Sequence, residues 1–223
     1  MIDDKKYIIR RATINDISFI ADVILEAEKS GTGNCGLAKL YGLTEIELKQ
    51  YLVNMLDEEI DGCEFSISSF LVVEYDGKPV AAGGGWLEGD NEDGMASSML
   101  KANLIAYYIP SENIKSSRSR LDVVKDIQIE REMGAFQLEY AYVTKEHQGH
   151  FLYEWLVEEL LKQAIQKNPG LKKAQTHVFE NNKVVVLMLK LLGFKISEKY
   201  VSQREDIHQY YPDNVMLLME KMY

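Results

Sequence analysis

The sequence predicts an α/β fold of the α+β kind, a mixed sheet of about six to seven strands with helices packed against it. Segments of strand composition and segments of helical periodicity follow one another as β-α-α-β-β, an interruption, then β-α-β-α-β-β, an order that calls for helices layered on one sheet. Two apolar runs, Phe70–Tyr75 and residues 78–82, flank Asp76-Gly77, a strong hairpin signal. The chain has 223 residues and is 46% apolar, enough for one sizeable core, so residues 1–223 read as a single domain with an insertion at about 88–133.

Taken in order, Tyr7–Arg11 is a first strand. Thr13 and Asp16 follow with N-cap and N3 spacing and open an amphipathic helix carrying Ile17, Ile20, Val23 and Ile24. Residues 31–36, with three glycines, read as a loop. Thr44 and Glu47 repeat the capping pattern ahead of a stripe of Leu48, Leu52, Met55 and Leu56. After the hairpin, Gly83-Gly84-Gly85-Trp86 suggests either a close backbone approach or a flexible strand end.

Inside the insertion, residues 103–109 fit a strand or a short helix, and residues 116–131 read as a charged helix. Phe136–Val143 is a strand, residues 149–167 a long helix closed by Asn168-Pro169-Gly170, and Lys173–Phe179 a strand. Residues 182–192 form a helix stopped by Gly193, and Lys195–Val201 and Val215–Met222 are two final strands.

Charge narrows the function. A formal net charge of −10 opposes nonspecific binding to nucleic acid and docking on an anionic membrane, and mildly favours a cationic substrate. The opening Met1-Ile2-Asp3-Asp4-Lys5-Lys6 has no apolar signal region and no run approaches the ~20 residues of a membrane span. Cys35 and Cys63 offer neither a disulfide framework nor a metal spacing, and His147 and His150 lack metal-ligand partners at useful spacing. Together these imply a cytoplasmic protein. Cys35, with no paired base, is not a candidate nucleophile.

The chemistry concentrates where the strand ending at Val143 runs through a polar loop into the long helix. A helix N-terminus exposes unpaired N–H groups and a partial positive charge, so this loop suits a phosphate or pyrophosphate without a basic side chain. An ordinary strand–helix turn is the plainer alternative.

At this point the sequence resembles the GNAT superfamily of N-acetyltransferases. Val143, Glu146 and Gln148-Gly149 match the opening of the family's loop pattern; Phe151 and Tyr153 stand where it has small residues. Asn182 and Gly193-Phe194 keep a second spacing, although Leu189 replaces the usual tyrosine. Ile9-Arg10-Arg11-Ala12-Thr13 with Asp16 is similar to the family's start. The resemblance implies a mostly antiparallel sheet with two splayed central parallel strands, Phe136–Val143 and Lys173–Phe179. Acetyl-CoA would lie between them and be attacked directly by an amine.

It further implies that backbone groups at Val143 pair with the pantetheine arm. Amides of Gln148, Gly149, His150, Phe151, Leu152 and Tyr153 would hold the pyrophosphate, and Asn182 would bond the cofactor's arm. Glu139 is the expected base, sharing by alternation a face with Ala141 and Val143, opposite Tyr140 and Tyr142. With Leu189 unable to donate a proton, Tyr142, Tyr153 and His150 are the candidate acids, and packing is the alternative for each. Trp86 and the Tyr107-Tyr108 pair read first as core packing, with an acceptor pocket as the alternative, and residues 203–211 are candidates for acceptor or homodimer contacts. A non-catalytic acyl-CoA-binding module is the competing reading.

Overall fold

The computed structural model describes residues 6–58 and 60–223. Residues 1–5, on which the reading of the N-terminus rests, lie outside that range. A single seven-stranded sheet runs in the order β1-β2-β3-β4-β5-β7-β6. The strands are β1 (Tyr7–Arg11), β2 (Phe70–Tyr75), β3 (Lys78–Leu87), β4 (Phe136–Val143), β5 (Lys173–Phe179), β6 (Lys195–Val201) and β7 (Val215–Met222). Every neighbouring pair is antiparallel except β4–β5.

Two apolar layers cover the sheet. On one face lie α1 (Ile17–Lys29), α2 (Gly36–Tyr41), α3 (Glu45–Leu56), α4 (Ser97–Tyr108) and α5 (Ser111–Val124), joined in one cluster through residues such as Ile20, Leu52 and Val124. The other face carries α6 (Leu152–Lys167) and α7 (Lys183–Leu191), whose Leu156, Leu160 and Leu189 pack on Leu71, Ala81 and Leu138.

Local chemistry accounts for most boundaries. The Thr44 hydroxyl accepts from the Glu47 amide at 3.2 Å while the Glu47 carboxylate accepts from the Thr44 amide at 2.8 Å, closing a reciprocal cap on α3. At α1 the capping residue Asp16 is buried, because its carboxylate also takes Arg10 Nη1 at 2.7 Å. Its turn is a 3-10 turn over residues 14–16, and the α-helix proper begins at Ile17.

Some expectations are corrected. Gly36, read as the end of a loop, opens α2; this helix is only six residues long, too short to show a periodicity. Residues 103–109 belong to helix α4, not to a strand. The charged helix starts at Ser111, behind Pro110, and ends at Val124, so residues 128–131 lie in neither helix nor strand. The glycine run is not a flexible end: β3 continues through it to Leu87. A Cβ on Gly85 would lie 2.6 Å from the Phe136 ring, and one on Gly84 3.0 Å from the Glu139 carbonyl oxygen, so two backbones meet there.

The decisive irregularity is in β4. The register against β3 slips between Ala82 and Gly84, which pair with Tyr142 and Glu139, so Tyr140 and Ala141 face Gly83 alone. Tyr140 adopts φ +54° to make this bulge. The expected alternation therefore fails. Ala141 and Val143 face α6, whereas Tyr140 and Tyr142 pack on the α1 side. Glu139 is on that side too, with Arg131 and His177 rather than with Ala141 and Val143.

Candidate active site

The bulge opens the sheet. Among the described residues β4 and β5 pair only at Phe136–Ala174, Gln137–Gln175 and Leu138–Thr176. From Glu139 and His177 onward the two strands part. Two buried amides close the floor of the gap, Gln137 Nε2 donating to Gln175 Oε1 at 2.9 Å. Above it a cavity of about 1100 Å³ extends from the end of α1 across the gap to the first turn of α6.

One wall is made of main chain. After Val143 the chain makes a 3-10 turn over residues 145–147, pinned where Tyr7 Oη meets His147 Nδ1 at 2.8 Å. Gln148 Nε2 then folds back onto the Val143 carbonyl at 3.1 Å. Gly149, at φ +83°, and Phe151, at φ +57°, both take the left-handed conformation, and α6 begins at Leu152 rather than at Gly149. The first helical hydrogen bond runs from the Trp155 amide to the Phe151 carbonyl, and Phe151 offers no capping side chain. The amides of Leu152, Tyr153 and Glu154 thus have no intrahelical acceptor, and all three residues line the cavity.

The bulky substitutions do not seal this turn. Phe151 borders the cavity but is 74% exposed, so its ring is mostly in solvent. Tyr153 lines the cavity, and burial pushes its phenol up, keeping it protonated. His150 instead packs its ring 5.8 Å from that of Tyr7 and is not among the described residues lining the cavity.

Asn182 caps α7, its Oδ1 accepting from the Val185 amide at 3.4 Å, while Nδ2 donates to Ser30 Oγ at 3.2 Å across the cavity's lip. Leu189 is buried in the core at 1% exposure; Met188 is the residue α7 turns toward the cavity there.

The opposite wall is made of charged side chains. Arg131 Nη2 bonds Glu139 Oε1 at 2.6 Å and Glu64 Oε1 at 3.0 Å, while its guanidinium rests 5.1 Å from the centre of the Trp86 ring. Lys101 Nζ approaches Glu64 Oε1 at 2.9 Å and Tyr140 Oη at 3.4 Å. Tyr140 Oη donates to Glu28 Oε1 at 2.8 Å, whose Oε2 takes the Leu37 amide at 3.2 Å. Burial would raise the carboxyl of Glu64, but Lys101 and Arg131 more than offset it and hold it down at about 2. Burial pushes Glu28 up, only partly offset by Lys101 and Tyr140. Glu28, Glu64 and Glu139 thus share this wall with Lys101 and Arg131.

His177 completes the wall. Its Nδ1 lies 3.5 Å from Glu139 Oε1, and its Nε2 is buried without a hydrogen-bond partner. Burial lowers its basicity, with Glu139 working against that.

Tyr142 borders the cavity and burial raises its phenol. Trp86 packs in the core, the reading favoured for it, whereas the two consecutive tyrosines lie away from the cavity. Trp86 is buried under Arg131 and donates its Nε1–H to Glu88 at 3.0 Å. Tyr107 is 80% exposed, and the Tyr108 hydroxyl bonds Glu58, away from the cavity. Of the 203–211 loop, Tyr211 reaches the cavity. Burial pushes the Cys35 thiol up to about 11, which leaves it inert at neutral pH.

Sequence reasoning missed Glu28, Glu64, Lys101, Arg131 and His177. Only His177 carried a usable signal: two-residue alternation along β5 puts it on one face with Gln175 and Phe179. The others come from a helix end, a loop and the insertion, and meet only in three dimensions.

A sheet opened between two parallel strands, with a helix N-terminus at the mouth, defines the fold of the GNAT acetyltransferases, and solved structures agree. The chain is similar to an N-acetyltransferase from Staphylococcus aureus at TM-score 0.64 and 15% identity, covering 96% of this chain and 99% of that one. It is also similar to a polyamine N-acetyltransferase from Drosophila melanogaster that forms N-acetylagmatine, at TM-score 0.55 and 13% identity over 97% and 100% of the two chains. A Salmonella typhimurium protein, taken for an acetyltransferase and solved with its cofactor acetyl-CoA, aligns at TM-score 0.53 and 13% identity over 97% and 94%. No family model matches the sequence, and no curated protein matches it. At these identities the likeness establishes the fold.

Proposed function

We propose that this chain is an acetyl-CoA-dependent N-acetyltransferase of the GNAT superfamily, transferring acetyl to an amine by direct attack in a ternary complex. One observation carries the reading: the gap beyond Leu138 and Thr176 and the uncapped first turn of α6 belong to one cavity of about 1100 Å³. The residues present fit the donor. Uncapped amides at a helix N-terminus suit a diphosphate, and edge backbone at Val143 suits the amides of a pantetheine arm. The donor supplies a thioester carbon open to a neutral amine.

The amides of Gly149 and of Phe151 to Glu154 hold the diphosphate, with the first turn of α6 at their centre. Asn182 Nδ2 exchanges Ser30 for the cofactor's arm. The carboxylates across the gap suit an alkylammonium, which is mostly protonated at pH 7 because its pKa is near 10. Glu139 serves its deprotonation, and Tyr142, kept protonated by burial, stands ready to donate to the departing thiolate.

One feature favours a second reading, a non-catalytic acyl-CoA-binding module: α7 offers no phenol at Leu189. Calorimetric titration with acetyl-CoA, followed by thiol release against a panel of primary amines, separates the two. Binding with turnover is expected. Tight binding without turnover on any amine supports the module, and absence of binding ends both.

A further inference from the structure

We infer that His177 is the group that takes the proton from the acceptor amine, and that Glu139 acts through it as a positioning residue. This rests on the acetyltransferase reading above.

His177 is the first residue of β5 beyond the last β4–β5 pair, so it borders the gap where it begins to open. Alternation puts it on the α1 face with Gln175 and Phe179, the side of the charged wall. Its ring lines the cavity. Nδ1 is 3.5 Å from Glu139 Oε1, at the outer edge of hydrogen-bond reach, and a carboxylate there favours the tautomer with the proton on Nδ1. Nε2 is then a bare lone pair, and it is buried with no partner. A buried acceptor left unmatched costs about 1–3 kcal/mol, which a donor entering the cavity relieves. An ammonium is such a donor.

Glu139 is less suited to direct proton transfer. Its Oε1 already accepts from Arg131 Nη2 at 2.6 Å and Nε at 3.2 Å, which leaves that oxygen little capacity for a further partner. The charged groups facing His177 are Glu139 on β4, Arg131 ahead of β4, Glu64 ahead of β2 and Lys101 on α4. Two carboxylates and two cations nearly cancel, so burial dominates and keeps the imidazole neutral, as a base must be at rest.

The proton count closes. An N–H of the bound ammonium passes to Nε2, giving imidazolium and a neutral amine. The amine nitrogen attacks the thioester carbonyl carbon, a C–N bond forms, and the C–S bond breaks to release the thiolate of coenzyme A. The thiolate takes one proton, and the second leaves to solvent as the imidazole is restored. The products are the amide, the free thiol and one proton.

The test uses the full chain. His177→Gln is expected to lower kcat with a primary amine about 10²- to 10³-fold at pH 7, leaving the acetyl-CoA dissociation constant within twofold. Its rate should climb with pH toward the amine's pKa, narrowing the deficit, while the wild type levels off above about pH 7. Glu139→Gln should also lose rate, but the double variant should be no slower than His177→Gln alone, because the two act in series. Imidazole nitrogen NMR shifts of the wild type give a readout independent of turnover and of variant folding: the neutral ring should carry its proton on Nδ1. Unchanged turnover in His177→Gln, or a ring proton on Nε2, overturns the assignment. If the wild type turns over no amine at all, the acetyltransferase reading fails and this assignment falls with it.

Discussion

The two walls of the cavity are built on opposite principles. The α6 wall presents main-chain amides, fixed by Gly149 and Phe151 in left-handed conformation and by a helix that starts without a side-chain cap. The α1 wall presents Glu28, Glu64, Lys101, Arg131, Glu139 and His177, gathered from five separate parts of the chain. A wall of backbone amides tolerates sequence change as long as the turn keeps its shape, so bulky side chains at Phe151 and Tyr153 leave the amides in place. Side-chain recognition has no such tolerance, because each charge depends on the next for its neutralisation.

The largest effect expected from that contrast is in stability. Arg131→Met leaves Glu64, fully buried, and Glu139 without their guanidinium, and should cost about 3–5 kcal/mol in urea unfolding. A loss below ~1 kcal/mol would mean that the charged wall is not interdependent. The next largest is a pH effect at Glu64. Its folded carboxyl is held at about 2, below the ordinary value of 4.5, so the stabilisation is complete above 4.5 and lost as pH falls toward 2. Thermal melts across that window should fall with acid, and Glu64→Gln should flatten the slope there; an unchanged slope would remove Glu64 from the account.

On the other wall the effects are smaller and concern binding. Glu154→Pro deletes one first-turn N–H where proline is tolerated. It should weaken acetyl-CoA about tenfold or more by calorimetry, the worth of one hydrogen bond to a charged group. An unaltered affinity would shift the anion site elsewhere. Smallest of all, Phe151→Gly relieves a left-handed residue whose ring is mostly in solvent. It should raise stability by about 0.5–1 kcal/mol with acetyl-CoA affinity retained, since the amide stays. A large loss of affinity would show that the ring, not the backbone, makes the contact.

The same contrast explains what could be read from sequence. The β4-loop-α6 unit and the Asn182-to-Gly193 spacing are local, and local patterns survive in a one-dimensional string; so do the Thr44–Glu47 cap and the Asp76-Gly77 hairpin. The strands were legible for that reason, down to the last residues of β5, β6 and β7. The insertion was not, because α4 and α5 earn their place through scattered contacts such as Leu104, Ile109 and Val124 in the common core. Lys101 and Arg131 looked like ordinary surface charges until folding brought each against Glu64. Glu139 does line the cavity, but not on the face that alternation gave it, since strict alternation has no means of anticipating a left-handed Tyr140.

That tyrosine changes the parity of β4. With one residue unmatched, positions 139, 140 and 142 look to the same side, an arrangement a regular ribbon forbids. Deleting a residue there would do more than tidy the hydrogen bonding: it would let the two parallel strands zip further and rotate every side chain after Glu139 by half a turn. The cavity owes its existence, and its charged wall the cast of residues, to a single miscount in the weave.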